Sequence, residues 1–157
     1  EEIGFGYVKT YLNSGNIVFS SEEGDRGSFT SQIEAMIKNR FDLDIPVFVM
    51  SKEGLEDILH NAPHWWGNEN KEIYDNLIFM IPPATFAEVL NGIGEPKEEL
   101  EKIKHYKEAI FWSFSRKYYQ KTNWWPKTAS ASISNKLTIR TASTVKKIAA
   151  ELYKKEV

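Results

Sequence analysis

The sequence of 157 residues contains no cysteine, and this absence excludes several classes of protein at once. Without cysteine there is no disulfide framework, no thiolate metal site and no cysteine nucleophile. No apolar run approaches the roughly 18 residues of a membrane span, and nothing at the N-terminus has the pattern of a signal peptide. Because 41% of the residues are hydrophobic and 27% are charged, the chain can bury a core. We expect a cytoplasmic, globular protein.

Motifs of catalysis and of cofactor binding are also missing from the sequence. It contains no nucleophile elbow, no phosphate-binding loop and no dinucleotide fingerprint. His60 and His64 have the spacing of a helical metal pair, but Pro63 lies between them and no third ligand accompanies them. We therefore expect no metal and no cofactor, and the sequence does not decide whether the protein is an enzyme.

Aromatic residues are abundant, at 13% of the chain with five tryptophans. Trp124 and Trp125 lie in a polar, basic segment, and we expect them to be exposed and to contact a partner or nucleic acid. Trp66 is a further candidate for such a surface. Trp65–Trp66 and the run Phe111–Phe114 could stack on bases as the sheet aromatics of RNA-binding modules do, although core packing explains them at least as well.

Charge is distributed unevenly along the chain. From Ser115 onward ten Lys and Arg stand against two Glu, so this part carries a formal charge of +8 and residues 1–114 carry −10. Such a basic half favours an anionic partner. The structural alternative is a solvated surface on which the two halves neutralise each other.

The hydrophobic pattern predicts an α+β fold. In the first half we expect a hairpin of residues 8–12 and 17–20, a helix over 28–41 with a capping box at Ser31 and Glu34, a strand over 45–50, and a helix capped by Ser51. In the second half we expect a strand at 76–81, a helix at 85–90, a hairpin of 102–107 and 109–114, a helix at 115–121, a strand at 137–140 and a closing helix.

The order of these elements predicts two similar units. The second half follows the order βαββαβ, and the first half follows the same order without its initial strand and helix. This pattern indicates two ferredoxin-like subdomains, an incomplete one at residues 1–70 and a second at 71–157 that includes the C-terminal helix.

Several segments resemble a bacterial family known as domain of unknown function 1697, and they follow the order found in that family. The segments are residues 8–19, 62–66, 110–112, 136–140 and 144–148. The resemblance covers essentially the whole chain and implies two ferredoxin-like subdomains. It implies no activity, because the family has no assigned biochemical function.

The sequence departs from that family at two places. Family members usually begin with a strand and a glycine-rich turn, and this block is absent here, so we expect that the natural chain continues upstream. Near the C-terminus the family tends to have Arg-Asn where this chain has Arg140-Thr141. The change removes one amide side chain from any ligand site there.

The junction between the last strand and the closing helix is the strongest site candidate. A helix N-terminus presents free N–H groups and partial positive charge, which suit a phosphate or a carboxylate. Arg140, Thr141, Thr144 and Lys147 would surround such an anion. The structural alternative is that Thr141 or Ser143 merely caps the helix and that Arg140 pairs with an acid.

The first hairpin turn is a second site candidate. Asn13, Ser14 and Asn16 could offer backbone N–H groups and amide side chains to the same ligand, although a tight turn alone explains these residue types. We therefore expect a protein that binds an anionic ligand, a nucleotide or a nucleic acid, through its basic half. The alternatives are an enzyme acting on a small metabolite between the subdomains and a protein-interaction module.

Overall fold

Strands and helices alternate along most of the chain. The computed structural model describes residues 4–11, 15–22 and 24–154. The strands are β1 (Gly6–Tyr11), β2 (Asn16–Ser20), β3 (Ile73–Met80), β4 (Glu101–Tyr106), β5 (Ala109–Ser115) and β6 (Leu137–Thr141). The α-helices are α1 (Arg26–Phe41), α2 (Lys52–His60), α3 (Phe86–Ile93), α4 (Trp124–Ser130) and α5 (Ala142–Lys154), with 3₁₀ segments at Arg116–Lys121 and Ser132–Lys136.

The strands of the second half form one antiparallel sheet in the order β4-β5-β3-β6. β4 and β5 form the predicted hairpin, and β3 pairs with β5 on one side and β6 on the other. Two connections pass through helices, so the chain order is β3-α3-β4-β5-α4-β6. This is the ferredoxin-like βαββαβ arrangement, and the predicted α+β class is confirmed.

Both faces of this sheet are covered. On one face, Leu77 and Phe111 pack against α2 and α5; on the other, Ile78 and Trp112 pack against α3 and α4. We call these the α2/α5 face and the α3/α4 face. Because side chains alternate along a strand, a strand buried on both faces is apolar at nearly every position. This explains the unbroken apolar run at the end of β3.

The core of the α2/α5 face draws on residues from both sides of residue 70. Leu55, Ile58 and Trp66 precede that position, and they pack in the same cluster as Phe111 and Val145. The division into subdomains at 1–70 and 71–157 stays a prediction. Two subdomains divided at this position would share one hydrophobic core.

The first half contains a two-stranded sheet, β1-β2, and the long helix α1. The predicted hairpin is confirmed, and Phe5, Phe19 and Phe29 hold the helix against it with ring centroids 4.2–5.7 Å apart. The expected capping box is wrong. Asp25 caps α1 by accepting from the Ser28 N–H at 2.8 Å, and helical N-cap preference allows Asp as readily as Ser.

The expected strand at residues 45–50 is also wrong, because residues 42–50 have no regular secondary structure. An extended segment becomes a strand only when a neighbour completes its hydrogen-bond ladder, and no strand pairs with this one among the residues described. Its Val47 N–H instead donates to the Glu34 carboxylate at 3.2 Å. Phe48 and Met50 pack on the α2/α5 core.

Candidate functional site

Arg140 lies on β6, at the edge of the four-stranded sheet, where its side chain joins the two sheets. Its Nε donates to Asn16 Oδ1 at 2.7 Å, and its Nη1 donates to Thr138 Oγ1 at 2.9 Å and to the Ile139 carbonyl at 2.8 Å. Burial lowers the pKa of the Arg140 guanidinium, which nevertheless stays charged at neutral pH. The structure thus brings together Arg140 and Asn16 as the sequence predicts. It joins them by a direct hydrogen bond, with no space for a ligand between the bonded atoms.

Of the other turn residues proposed for the site, Asn13 and Ser14 lie outside the described residues. The metabolite pocket expected between this turn and Arg140 is therefore not tested at those two positions. At Asn16 the amide oxygen is already used by the guanidinium.

The N-terminus of α5 is capped by its own chain. Thr141 Oγ1 accepts from the Thr144 N–H at 3.2 Å and lies 3.1 Å from Thr144 Oγ1. Lys147 is exposed on the solvent side of the helix. This local geometry is that of a simple helix cap, so an anion at this junction stays a prediction.

Two of the three tryptophans proposed as a contact surface are in the core, and that expectation is wrong for them. Trp124 is fully buried and Trp66 is 5% exposed. Each indole N–H has a partner within the chain: Trp124 donates to the Gly94 carbonyl at 3.0 Å, and Trp66 donates to the Asn76 carbonyl at 2.7 Å. A buried indole N–H usually finds a hydrogen-bond partner, and both of these have one.

Bases cannot stack on the aromatic residues of the sheet, because these rings are buried as well. Phe111 and Trp112 are no more than 1% exposed, because helices cover both faces of the sheet. The mode of RNA binding in which sheet aromatics meet bases therefore does not apply to this fold.

Trp125 differs from its neighbour, because it is 37% exposed at the rim of the α3/α4 face. Its ring meets those of Tyr119 and Phe114 edge to face, with centroids 5.0 and 5.6 Å apart. Tyr118, on the adjoining 3₁₀ segment, is 39% exposed. The chain thus presents two aromatic rings to solvent on consecutive elements, with the body of Trp125 fixed by the core.

Cations lie against Tyr118 and against Tyr74, whose ring contacts that of Trp125. Lys117 and Lys121 place their ammonium groups 5.3 and 5.4 Å from the centroid of the Tyr118 ring, and Arg116 lies 4.4 Å over Tyr74. Such distances are those of cation–π contacts. We call Arg116, Lys117, Tyr118, Lys121 and Trp125 the aromatic–basic surface.

The stretch of sequence that contains these cations has no carboxylate of its own. Residues 109–150 contain eight Lys and Arg and not one Asp or Glu. The eight are Arg116, Lys117, Lys121, Lys127, Lys136, Arg140, Lys146 and Lys147. Three of these eight cations, Arg116, Lys117 and Lys121, belong to the aromatic–basic surface.

A buried carboxylate holds the helix that presents Trp125. Glu101 begins β4 and is 3% exposed. Its Oε1 accepts from Trp112 Nε1 at 3.0 Å and from the Trp124 N–H at 3.3 Å. Its Oε2 accepts from the Asn123 N–H at 2.6 Å and from the Lys97 N–H at 3.1 Å. Glu101 therefore binds the N-terminus of α4, where N–H groups need an acceptor.

The sequence did not single out Glu101, because this residue ends a run of acidic residues that is typical of a solvent-exposed segment. The signal that could have found it is the alternation of β4. Glu101 shares a strand face with Ile103, and Ile103 packs against the core of the α3/α4 face.

Residues 4–11, 15–22 and 24–154 offer neither a metal cluster nor a membrane-spanning helix. No group of three or more His, Asp or Glu is placed to hold a metal ion. None of the helices there combines the length and the apolar character needed to cross a bilayer.

Known proteins match the chain in family and in fold. The conserved bacterial protein SP0830 from Streptococcus pneumoniae has a similar structure, with a TM-score of 0.81 and 25% sequence identity. The match covers 95% of this chain and 82% of that one. No curated protein matches significantly. The model of a family described as "Protein of unknown function (DUF1697)" matches residues 1–111, and the chain therefore belongs to the DUF1697 family.

Proposed function

We propose that this protein binds single-stranded nucleic acid through the aromatic–basic surface. The observation that carries the proposal is the pair of exposed rings, Tyr118 and Trp125, with two lysines against the Tyr118 ring, in a stretch of 42 residues without a carboxylate. Single-strand binding surfaces combine these two features, because the bases stack on aromatic rings while the cations attract the phosphates.

The geometry favours a single strand over a duplex. A duplex is read by an element that enters a groove or by cations that follow its backbone. Here two rings lie open at the rim of the fold, and unstacked bases can reach them only when the strand is single. Lys117 and Lys121 already sit beside the Tyr118 ring, where they can contact the phosphates on either side of a stacked base.

Binding is measured by fluorescence anisotropy of labelled single-stranded DNA and RNA of mixed sequence at low salt. We expect Tyr118→Ala to weaken binding about 5- to 150-fold, which corresponds to the roughly 1–3 kcal/mol of one stacked base. The matched control is Tyr153→Ala, since Tyr153 is also exposed and also lies beside a lysine, at 4.7 Å from Lys52, but on α5. The control should bind like the wild type.

The salt dependence gives a second, independent test. With three cations of the surface on phosphates, the slope of log K against log salt should be about −2, since each contact on a single strand contributes roughly −0.7. Neutralising Lys117 and Lys121 together should make the slope shallower by about 1.4. The control here is Lys104→Gln, an exposed lysine of β4 on the α2/α5 side of the sheet.

Three results would overturn the proposal. The first is undetectable binding by the wild type at low salt. The second is an equal loss in the Tyr118→Ala and Tyr153→Ala proteins, which would indicate nonspecific attraction to the basic half. The third is self-association that disappears in Trp125→Ala, which would make this surface an interface between copies of the chain.

A further inference from the structure

A cavity of about 380 Å³ lies at one end of the four-stranded sheet and is lined by residues from both of its faces. Its walls come from the loop after α2, from the starts of β3 and β4 and from the end of β5. Its lining residues include Trp65, Asn68, Asn70, Asp75, Glu99 and Ser113. Its volume is within the range of small-molecule sites, which is roughly 300–1,000 Å³.

Asp75 has an unusual environment in the wall of this cavity. It is 9% exposed, and its Oδ2 accepts from the Gly67 N–H at 3.0 Å. Its Oδ1 is buried and has no hydrogen-bond partner among the residues that the structure describes. A buried carboxylate oxygen without a donor is costly, and native proteins rarely leave one. A ligand with N–H groups would supply the missing donor.

The surroundings of Asp75 favour a cation over an anion. Glu98 and Glu99 lie in the turn that forms one rim, and Lys102 is the cation among the lining residues. Trp65, half-buried at the wall, offers a ring on which a planar cation can lie. Ser113 is the register partner of Asp75 on the neighbouring strand, so its hydroxyl can accept beside the carboxylate.

We propose that this cavity binds a small guanidinium or amidinium compound, with Asp75 as the acceptor of its N–H groups. A planar fork of N–H donors matches the geometry of a carboxylate and forms two charge-assisted hydrogen bonds. Oδ1 has almost no accessible surface, so binding requires a small movement of the wall. Asn68 and Asn70, both exposed, belong to the loop that can make this movement.

The test titrates the wild-type protein at millimolar concentration with ethylguanidinium, with ethylammonium and with tetramethylammonium. Binding is followed by calorimetry and by the NMR resonance of the Trp65 indole N–H. We expect saturable binding of ethylguanidinium at least about tenfold tighter than that of either other cation, because only it has the paired donors. Agmatine and N-acetyl-arginine amide then distinguish a free metabolite from an arginine side chain as the source of the group.

The informative variant is Asp75→Asn. Its amide oxygen can still accept from the Gly67 N–H, while its NH₂ group replaces the oxygen that lacks a donor. We expect ethylguanidinium binding to fall at least about tenfold, or 1.4 kcal/mol. Glu69→Gln is the matched control, because Glu69 is exposed in the same loop and is not part of the cavity wall. If Asp75→Asn does not fold, Trp65→Leu replaces it, with the same loss expected.

Three outcomes would overturn this proposal: no saturable binding by the wild type, equal binding of the three cations, and undiminished binding by Asp75→Asn. A fourth concerns Lys102, whose flexible side chain lies on the same strand face as Ser113. If a double-mutant cycle of unfolding free energies shows coupling between Lys102 and Asp75, then Lys102 is the partner of the Asp75 carboxylate, and the proposal is overturned. These measurements use no nucleic acid, so their failure leaves the function proposed above untouched.

Discussion

Replacement of Glu101 by glutamine tests how α4, and with it Trp125, is held in place. The substitution keeps the size and shape of the side chain and changes one carboxylate oxygen into an NH₂ group. In the wild type, Oε1 and Oε2 each accept two N–H groups, at 2.6–3.3 Å. Whichever way the glutamine amide turns, two of these donors face another donor.

The size of the effect follows from these contacts. A hydrogen bond to a charged acceptor contributes about 1.5–3 kcal/mol, and two are lost, so we expect a loss of about 3–6 kcal/mol in the free energy of unfolding. Against a typical total of roughly 5–15 kcal/mol, this is a large fraction of the stability. Glu101 is 3% exposed, so little solvent reaches it to replace the missing acceptor.

Urea unfolding followed by tryptophan fluorescence measures the change. With a slope of about 1–3 kcal/mol per molar urea, a loss of about 3 kcal/mol lowers the midpoint by at least about 1 M. The exposed neighbour Glu99 provides the control, since Glu99→Gln should leave the midpoint unchanged. A Glu101→Gln protein as stable as this control would refute the role given to the buried carboxylate. Because Trp125 follows the N–H groups that Glu101 holds, oligonucleotide binding should weaken in the same variant.

Three further predictions concern other contacts. Thr141→Ala removes the cap of α5 and should cost about 1 kcal/mol in urea unfolding, whereas Ser143→Ala should cost little; equal costs would show that Thr141 is not the cap. The hydrogen bond from the Lys9 ammonium holds the pKa of Glu151 below its ordinary value of 4.5. Its stabilisation is therefore present above pH 4.5 and is lost in acid, so the melting temperatures of wild type and Glu151→Gln should differ at neutral pH and converge as the pH falls; a constant difference would contradict this. Trp66→Phe removes the N–H that donates to the buried Asn76 carbonyl. It should lower the free energy of unfolding by about 1–3 kcal/mol in thermal or urea unfolding, and a change near zero would contradict this.

The helices and strands of the ferredoxin-like half were predictable, because their hydrophobic periodicity and helix caps depend on residues close in sequence. β3 is apolar at successive positions because two layers of helices cover it, and α3 and α5 show one apolar face each. Ser51 caps α2 as predicted, and Thr85, the first residue of the predicted helix at 85–90, caps α3. Elements of this kind are determined by neighbours in sequence, so periodicity and caps identify them.

The candidate site could not be predicted to the same extent. The sequence singled out the Trp124–Trp125 pair but could not say which ring is buried, because that depends on the rotation of α4 against the sheet. The same pattern that predicts a strand at residues 45–50 cannot show whether a neighbour pairs with it. Glu101 and Asp75 look like ordinary acidic residues until the sheet and its loops surround them.

The sequence by itself determined the α+β class, the order of the second half, the absence of cysteine chemistry and the basic character of residues 109–150. Only the tertiary structure decided which polar groups are buried and which aromatic rings reach solvent. The physical reason is the range of the interactions. Helix caps and strand alternation act over a few residues, whereas burial depends on elements far apart in the chain, as when α2 and α5 cover the same face of one sheet.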